Sequence, residues 1–167
     1  MFLTMRILHI VTGIFWAGSI FFLVSFLQPA FKDAGPDGAK VFGALRARRM
    51  FTWIPALALV TIISGLWLYM IRMGGGTGWA RTREAMSLGT GAIAAVVALI
   101  IGWFVMRAST LRAADLAMAA GPMPAGAERD AKMAEVMALR GRATMSARAV
   151  ATLLLIAVIT MAIARYI

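Results

Sequence analysis

Four long apolar runs constrain this sequence more than any other feature. They cover residues 7–27, 53–71, 86–106 and 143–164 of a chain of 167 residues. A helix needs roughly 20 predominantly apolar residues to cross the hydrocarbon core of a bilayer, and each run meets that length. The sequence therefore predicts an all-α, polytopic membrane protein, a four-transmembrane-helix bundle that forms a single transmembrane domain over residues 1–167.

The composition favours lipid over water as the surroundings of these helices. Hydrophobic residues make up 62% of the chain and charged residues 14%, whereas soluble domains are about half apolar and about a quarter charged. We therefore expect the lipid bilayer to be the first partner of this protein. The first run exceeds the ~7–15 apolar residues of a secretory signal peptide, so we expect it to be retained as a helix.

The net charge of +10 is interpreted as a topology signal, and no nucleic-acid partner is expected. Five basic residues lie near the first loop and seven near the third, namely Lys32, Lys40, Arg46, Arg48, Arg49, Arg107, Arg112, Arg129, Lys132, Arg140, Arg142 and Arg148. The opposite side has Arg6, Arg72, Arg81, Arg83 and Arg165. The positive-inside rule then places loops one and three in the cytoplasm and both termini outside, although Arg81 and Arg83 favour the reverse.

Two segments outside the runs also have helical patterns. In loop one, the spacing of apolar residues predicts a short interfacial helix from about Ala39 to Met50, capped by Asp37. Helix three is expected to continue past Met106 to residue 120, and the Gly- and Pro-rich residues 121–126 should end it. Helix four is expected to begin near Ala127, so helices three and four would extend into the cytoplasm as a hairpin.

Prolines and glycines predict the other boundaries. The first helix should end near Gln28-Pro29, and Pro55 should lie in the first turn of helix two, where a missing N–H has no cost. The glycine-rich residues 73–79 should form a flexible outer loop. They are not a phosphate loop, because no lysine follows at the required spacing and no strand precedes them.

His9 is the only histidine, and it lies inside the first apolar run of a chain without cysteine. An ionisable side chain in a membrane span is costly and is by default a candidate functional residue. One imidazole and no thiolate exclude disulfides, thiolate-held zinc, iron–sulfur clusters and a bis-histidine haem within one chain. The spans contain no acidic residue, which disfavours a proton pump.

Several residues near His9 are candidates for the same site. Met5 precedes His9 by one helical turn, and Met70 and Met73 end helix two on the same side. Thioethers with one imidazole suit Cu(I), and a His/Met pair suits haem iron. Trp16 lies seven residues after His9 on nearly the same face, where it would wall a ring-shaped ligand, face lipid or pack inside the protein.

A structural interpretation of the same residues stays open. Thirteen methionines in an apolar chain are typical of flexible packing. A lone histidine in a span can also hydrogen-bond a backbone carbonyl of a neighbouring helix.

Two motifs carry a resemblance to known families. Leu8-His9 followed by Trp16-Ala17-Gly18 resembles the first helix of small bacterial inner-membrane proteins, including the CopD-type copper-resistance domain and the HemJ-type protoporphyrinogen oxidases. The second helix adds Arg48-Arg49-Met50-Phe51, Ile54-Pro55-Ala56, Thr61 and Gly65-Leu66-Trp67, which look like the HemJ pattern. The resemblance covers about the first eighty residues.

The resemblance implies a helical protein of the bacterial inner (plasma) membrane whose first-helix histidine takes part in haem or porphyrin chemistry. That role would fall on His9. HemJ-type proteins carry a Trp-x-His-x-x-Lys-like cluster before helix three, whereas this chain has Trp79-Ala80-Arg81-Thr82-Arg83 and lacks the second histidine.

Three functions follow as hypotheses. The first is a haem- or porphyrin-associated redox or haem-handling protein with heme b on His9, its second ligand coming from a methionine or another chain. The second is Cu(I) handling at Met5, His9, Met70 and Met73. The third is an accessory subunit without a cofactor, docked through its hairpin and basic loops to a larger respiratory or photosynthetic complex. A homo-oligomer is the alternative assembly.

Overall fold

The computed structural model describes residues 1–74 and 78–167, and within them every regular element is helical. The α-helices are α1 Phe2–Phe22, α2 Gln28–Asp33, α3 Pro36–Ala47, α4 Met50–Met73, α5 Arg83–Ile101, α6 Ala108–Ala120 and α7 Ala127–Ile163. Wider π-helical turns, Leu23–Leu27 and Gly102–Arg107, join α1 to α2 and α5 to α6 without interrupting the rod. Of the predicted glycine-rich loop, residues 75–77 lie outside the described part.

Four continuous helical rods are long and apolar enough to cross a membrane. They are Phe2–Asp33, Met50–Met73, Arg83–Ala120 and Ala127–Tyr166, with mean hydropathies between 2.1 and 2.3 over their most apolar windows. The prediction of an all-α chain with four such helices is therefore confirmed. The surfaces of these rods carry exposed apolar side chains, such as Ile14, Ile63, Ile93 and Phe104, as lipid-facing helices require.

The four rods pack as two pairs. Helix α1 packs mainly on α4, and α5 packs mainly on α7, while smaller α4–α5 and α1–α7 contacts join the pairs. The centre combines two large side chains, Trp16 and Ile20, with small ones such as Ala58 and Ala98. Small residues allow helix backbones to approach closely where no hydrophobic effect drives their association.

Helices α6 and α7 pack against each other as a hairpin at one end of the bundle. Arg112 and Glu135 join α6 to α7 through a 2.7 Å ion pair, and Arg46 joins α3 to α6 through a 2.7 Å pair with Asp115. We call this end, with α3 and the hairpin, the hairpin end. The opposite end holds both termini and the α4–α5 connection, and we call it the terminal end.

Two predicted boundaries are wrong. The first rod continues through Pro29 to Asp33, because the wider turn just before it accommodates a residue that cannot donate the next helical hydrogen bond. Helix α3 begins at Pro36, so Asp37 lies in its first turn and pairs with Lys40 at 2.7 Å instead of capping. Gly35 occupies the cap with φ 54°, a conformation that favours glycine.

Candidate functional site

His9 is half-buried in α1, with its ring against α4. Its Nδ1 atom lies 2.8 Å from the backbone carbonyl oxygen of Thr61. A carbonyl can only accept a hydrogen bond, so Nδ1 must carry the proton and donate it. In the neutral ring this leaves Nε2 unprotonated, with its lone pair free.

Gly65, one turn after Thr61 in α4, makes room for the imidazole. A Cβ atom at position 65 would lie 2.6 Å from Cε1 and 2.9 Å from Nδ1 of His9. Both distances are shorter than a non-bonded contact allows, so the ring occupies the space that any other residue would fill. Glycine at 65 and histidine at 9 are therefore structurally coupled.

Two threonines continue this contact one turn further into the bundle. The hydroxyl oxygens of Thr12 and Thr61 lie 2.7 Å apart and are buried. Each hydroxyl is also 2.8 Å from the carbonyl four residues before it, Leu8 for Thr12 and Leu57 for Thr61. We call the set of His9, Thr12, Thr61 and Gly65 the His9 seam, and its polar groups hold α1 and α4 in one register.

The second ring nitrogen of His9 has no hydrogen-bond partner among the described residues. None of the buried side-chain nitrogen or oxygen atoms in that part of the chain lacks a partner, so Nε2 is not fully enclosed by the protein. Metal-binding histidines show this arrangement, with one ring nitrogen donating to a backbone carbonyl and the other free. The His9 seam therefore fixes the orientation of the imidazole and leaves its second ring nitrogen without a hydrogen bond to the described residues.

The methionines predicted beside His9 have different exposures. Met5, one turn before His9, is half-buried like it. Met70 and Met73 are 69% and 47% exposed near the end of α4. Of the described residues, no three histidine, aspartate or glutamate side chains converge as a metal site. Ligands for a soft metal would therefore have to be thioethers together with the one imidazole.

Trp16 belongs to a different part of the molecule. It is 4% exposed and packs in the central core. Together with Ile20, Ala58 and Leu99 it lines a cavity of about 40 Å³ towards the hairpin end, and His9 is not part of that lining. Trp16 does wall a cavity, but one much smaller than the ~300–1,000 Å³ of pockets that enclose drug-sized ligands.

Arg107, at the hairpin end of the same cavity, was not singled out from the sequence. Its Nε donates to the carbonyl oxygen of Phe51 at 2.9 Å, and its guanidinium carbon lies 5.6 Å from the centre of the Trp103 ring. The carbonyl of Phe51 would normally accept from the residue four positions on, which is Pro55 and has no N–H. Arg107 therefore supplies the donor that the proline removes.

The prediction for Pro55 is corrected by this contact. Helix α4 begins at Met50, three residues before the predicted start, so Pro55 lies beyond the first turn and leaves a real vacancy in the hydrogen-bond ladder. The sequence does contain a signal for it: a proline inside an apolar run, and a basic residue at the matching end of a neighbouring run.

Comparisons with protein-family models, with curated proteins and with solved structures gave no match to this chain. The class of this protein is therefore described from its helices and the His9 seam alone. The chain is an all-helical protein with four helices fit to cross a membrane, and a single imidazole is oriented between the first two of them.

Proposed function

We propose that this protein is a haem- or porphyrin-associated membrane protein of redox or haem-handling function, in which Nε2 of His9 would bind the haem iron. The observation that carries the proposal is the 2.8 Å hydrogen bond from Nδ1 of His9 to the Thr61 carbonyl. It fixes the tautomer that leaves Nε2 free, and a haem iron binds an imidazole through such a nitrogen.

The residues of the seam suit this role. The Thr61 carbonyl orients the ring and raises the basicity of the other nitrogen, while Gly65 leaves space for the ring between the helices. Bound haem b would supply one-electron chemistry at its iron. A second ligand to the iron would come from a methionine near His9, such as Met5, or from another chain, because this chain has no second histidine.

The test is haem binding by the detergent-purified protein. We expect added haem b to give a Soret absorption band with one-to-one stoichiometry, and His9→Ala to abolish it. Thr12→Val is the matched control, because it removes the hydroxyl pair of the seam without touching the imidazole, and it should keep the band. An identical spectrum for wild type and His9→Ala would contradict the proposal.

Copper handling is the second candidate, and the position of Met5 favours it. Met5 and His9 are half-buried one turn apart on α1, so a thioether and an imidazole can bind one soft ion. Met70 and Met73 would complete the set. Titration with Cu(I) should show one binding site in the wild type that the Met5→Ala/His9→Ala double variant lacks. Equal Cu(I) stoichiometry in the two proteins would reject copper handling at this site.

An accessory subunit is the third candidate, and the surface of the hairpin favours it. Met118, Met137 and Met145 are 65%, 62% and 74% exposed along α6 and α7. Adaptable methionine surfaces are typical of protein contacts. A mild-detergent extract should then yield the chain in a larger respiratory or photosynthetic complex, and loss of that complex after deletion of residues 108–135 would support the role.

The orientation that accompanies these functions has the hairpin end in the cytoplasm and the termini outside, in a bacterial inner membrane. The Arg46–Asp115 pair supports it, since it joins the two most basic loops at one end of the bundle. The chain has no cysteine, so single cysteines at Ala125 and Gly78 report their side directly. A membrane-impermeant thiol reagent applied to intact cells should label Gly78→Cys and spare Ala125→Cys.

A further inference from the structure

The cavity beside Arg107 combines an apolar interior with a cation at its edge. We propose that it is a binding site for an anionic phospholipid, whose phosphate pairs with Arg107 and whose acyl chain enters between α1, α4 and α5. The proposal does not depend on His9, which lies outside this cavity.

The guanidinium of Arg107 is held in place but only partly satisfied. Its Nε–H is used by the Phe51 carbonyl, and Trp103 flanks its plane. Four N–H donors on its two terminal nitrogens remain. The ion pairs within residues 1–74 and 78–167 join other residues and do not include Arg107. A guanidinium whose two terminal nitrogens both have free N–H groups forms bidentate hydrogen bonds with the oxygens of a phosphate.

The interior of the cavity suits hydrocarbon. Apart from Arg107 its lining is apolar, with Ile20, Ile54, Leu99 and Trp103 around the small residues Ala58 and Gly102 that leave the gap. An apolar cavity is a poor site for water, which needs several polar partners. Its volume of about 40 Å³ accommodates a few carbons of one acyl chain and excludes a haem.

The surrounding charge favours an anionic headgroup over a zwitterionic one. Arg48 and Arg49 immediately precede α4, are exposed, and belong to no ion pair of the described residues. Phe51, whose carbonyl accepts the hydrogen bond from Arg107, follows Arg49 by two positions. Each exposed cation close to a membrane surface adds attraction for anionic lipid. The occupant therefore needs a net negative headgroup and a hydrocarbon tail, which is the chemistry of a phospholipid such as phosphatidylglycerol.

Native mass spectrometry of the full chain tests the site. The protein is transferred from micelles that contain phosphatidylglycerol and phosphatidylcholine in equal amounts, and the lipids that stay bound are counted. We expect the wild type to retain one phosphatidylglycerol. Arg107→Gln should weaken that binding about tenfold, as the loss of a charge-assisted hydrogen bond predicts. Arg140→Gln removes the same charge from an exposed position on α7 and should leave the binding unchanged.

A second variant tests the acyl chain separately and keeps the guanidinium. A Cβ atom at Gly102 would meet only Val150 Cγ2 at 3.9 Å, so Gly102→Leu can fill the cavity without a backbone clash and should also lose the lipid. An excess of inorganic phosphate should not displace the lipid from the wild type. Retention by both Arg107→Gln and Gly102→Leu, equal loss in Arg140→Gln, or displacement by phosphate alone would overturn the proposal.

Discussion

Helix α4 receives one side-chain hydrogen bond from another helix at its middle and one near its hairpin end, and the two bonds differ in what they replace. At the middle, His9 donates to the Thr61 carbonyl, which the regular helix already pairs with the N–H of Gly65. Near the hairpin end, Arg107 donates to the Phe51 carbonyl, whose helical donor is missing at Pro55. The hydrogen bond from His9 is therefore made in addition to a helical one, whereas the hydrogen bond from Arg107 replaces a helical donor that is missing.

This difference predicts that Arg107 and His9 contribute unequally to the stability of the fold. Without Arg107, the Phe51 carbonyl at the edge of a span would lose the side-chain donor that takes the place of the missing N–H of Pro55, and a polar backbone group is expensive to leave unpaired in a membrane. Without His9, the Thr61 carbonyl would keep its helical bond to the N–H of Gly65. We therefore expect the stability of the fold to depend more on Arg107 than on His9.

The largest effect is expected where His9 and Gly65 share space. Gly65→Val should lower the free energy of unfolding by about 3 kcal/mol, because its Cβ would meet the imidazole well inside contact distance. Unfolding by dodecyl sulfate titration in mixed micelles measures it. Gly18→Val is the matched control, since nothing lies within 4 Å of a Cβ there, and its effect should stay near zero.

The contact between position 65 and the His9 ring can also be tested by a rescue experiment. If the imidazole is what the added side chain meets, His9→Ala should restore most of the stability lost in Gly65→Val, as expected for two directly coupled sites. Additive effects of the two substitutions would mean that the ring does not lie against Gly65.

The second largest loss of stability is expected when the hydrogen bond from Arg107 to the Phe51 carbonyl is removed. Arg107→Gln should lower the free energy of unfolding by about 2 kcal/mol, because it leaves a carbonyl without a donor. In a Pro55→Ala background the helix supplies its own N–H, so the same substitution should cost less by about 1 kcal/mol. A double-mutant cycle in mixed micelles measures this coupling, and a coupling of zero would separate Arg107 from the proline.

The smallest stability effect is predicted for His9 itself. His9→Ala should lower the free energy of unfolding by only about 1 kcal/mol, close to what cross-helix hydrogen bonds contribute in membranes. Haem binding should nevertheless be lost completely. A large loss of stability with unchanged haem binding would reverse the assignment and make His9 a structural residue.

Much of the fold was predictable because helix length and hydropathy are local properties. The four apolar runs, the extension of α6, the break at residues 121–126 and the start of α7 all follow from composition over short windows. Pro29 was misjudged as the end of a helix and Pro55 as a residue of a first turn, because both predictions assumed that nothing compensates for the missing N–H of a proline inside a helix. A π-helical turn compensates at one site and a distant arginine at the other.

The candidate site was predictable only in part, for a different reason. His9 stood out as the one imidazole in a span, but its partners depend on how α1 is aligned along α4. Thr61 and Gly65 were noticed only as part of a resemblance, and no local pattern pairs position 9 with positions 52 and 56 residues further on. The polar seam is a property of helix packing, which sequence spacing within one helix does not report.

The tautomer of His9 tests the central claim most directly, and the chain is suited to the measurement because it has one histidine. Nitrogen NMR of protein labelled at histidine, in bilayers at mildly alkaline pH, reports which ring nitrogen carries the proton. The proton should be on Nδ1, with Nε2 bare and its resonance changed or lost when haem b is added. A proton on Nε2, or a resonance that haem leaves unchanged, would contradict the account.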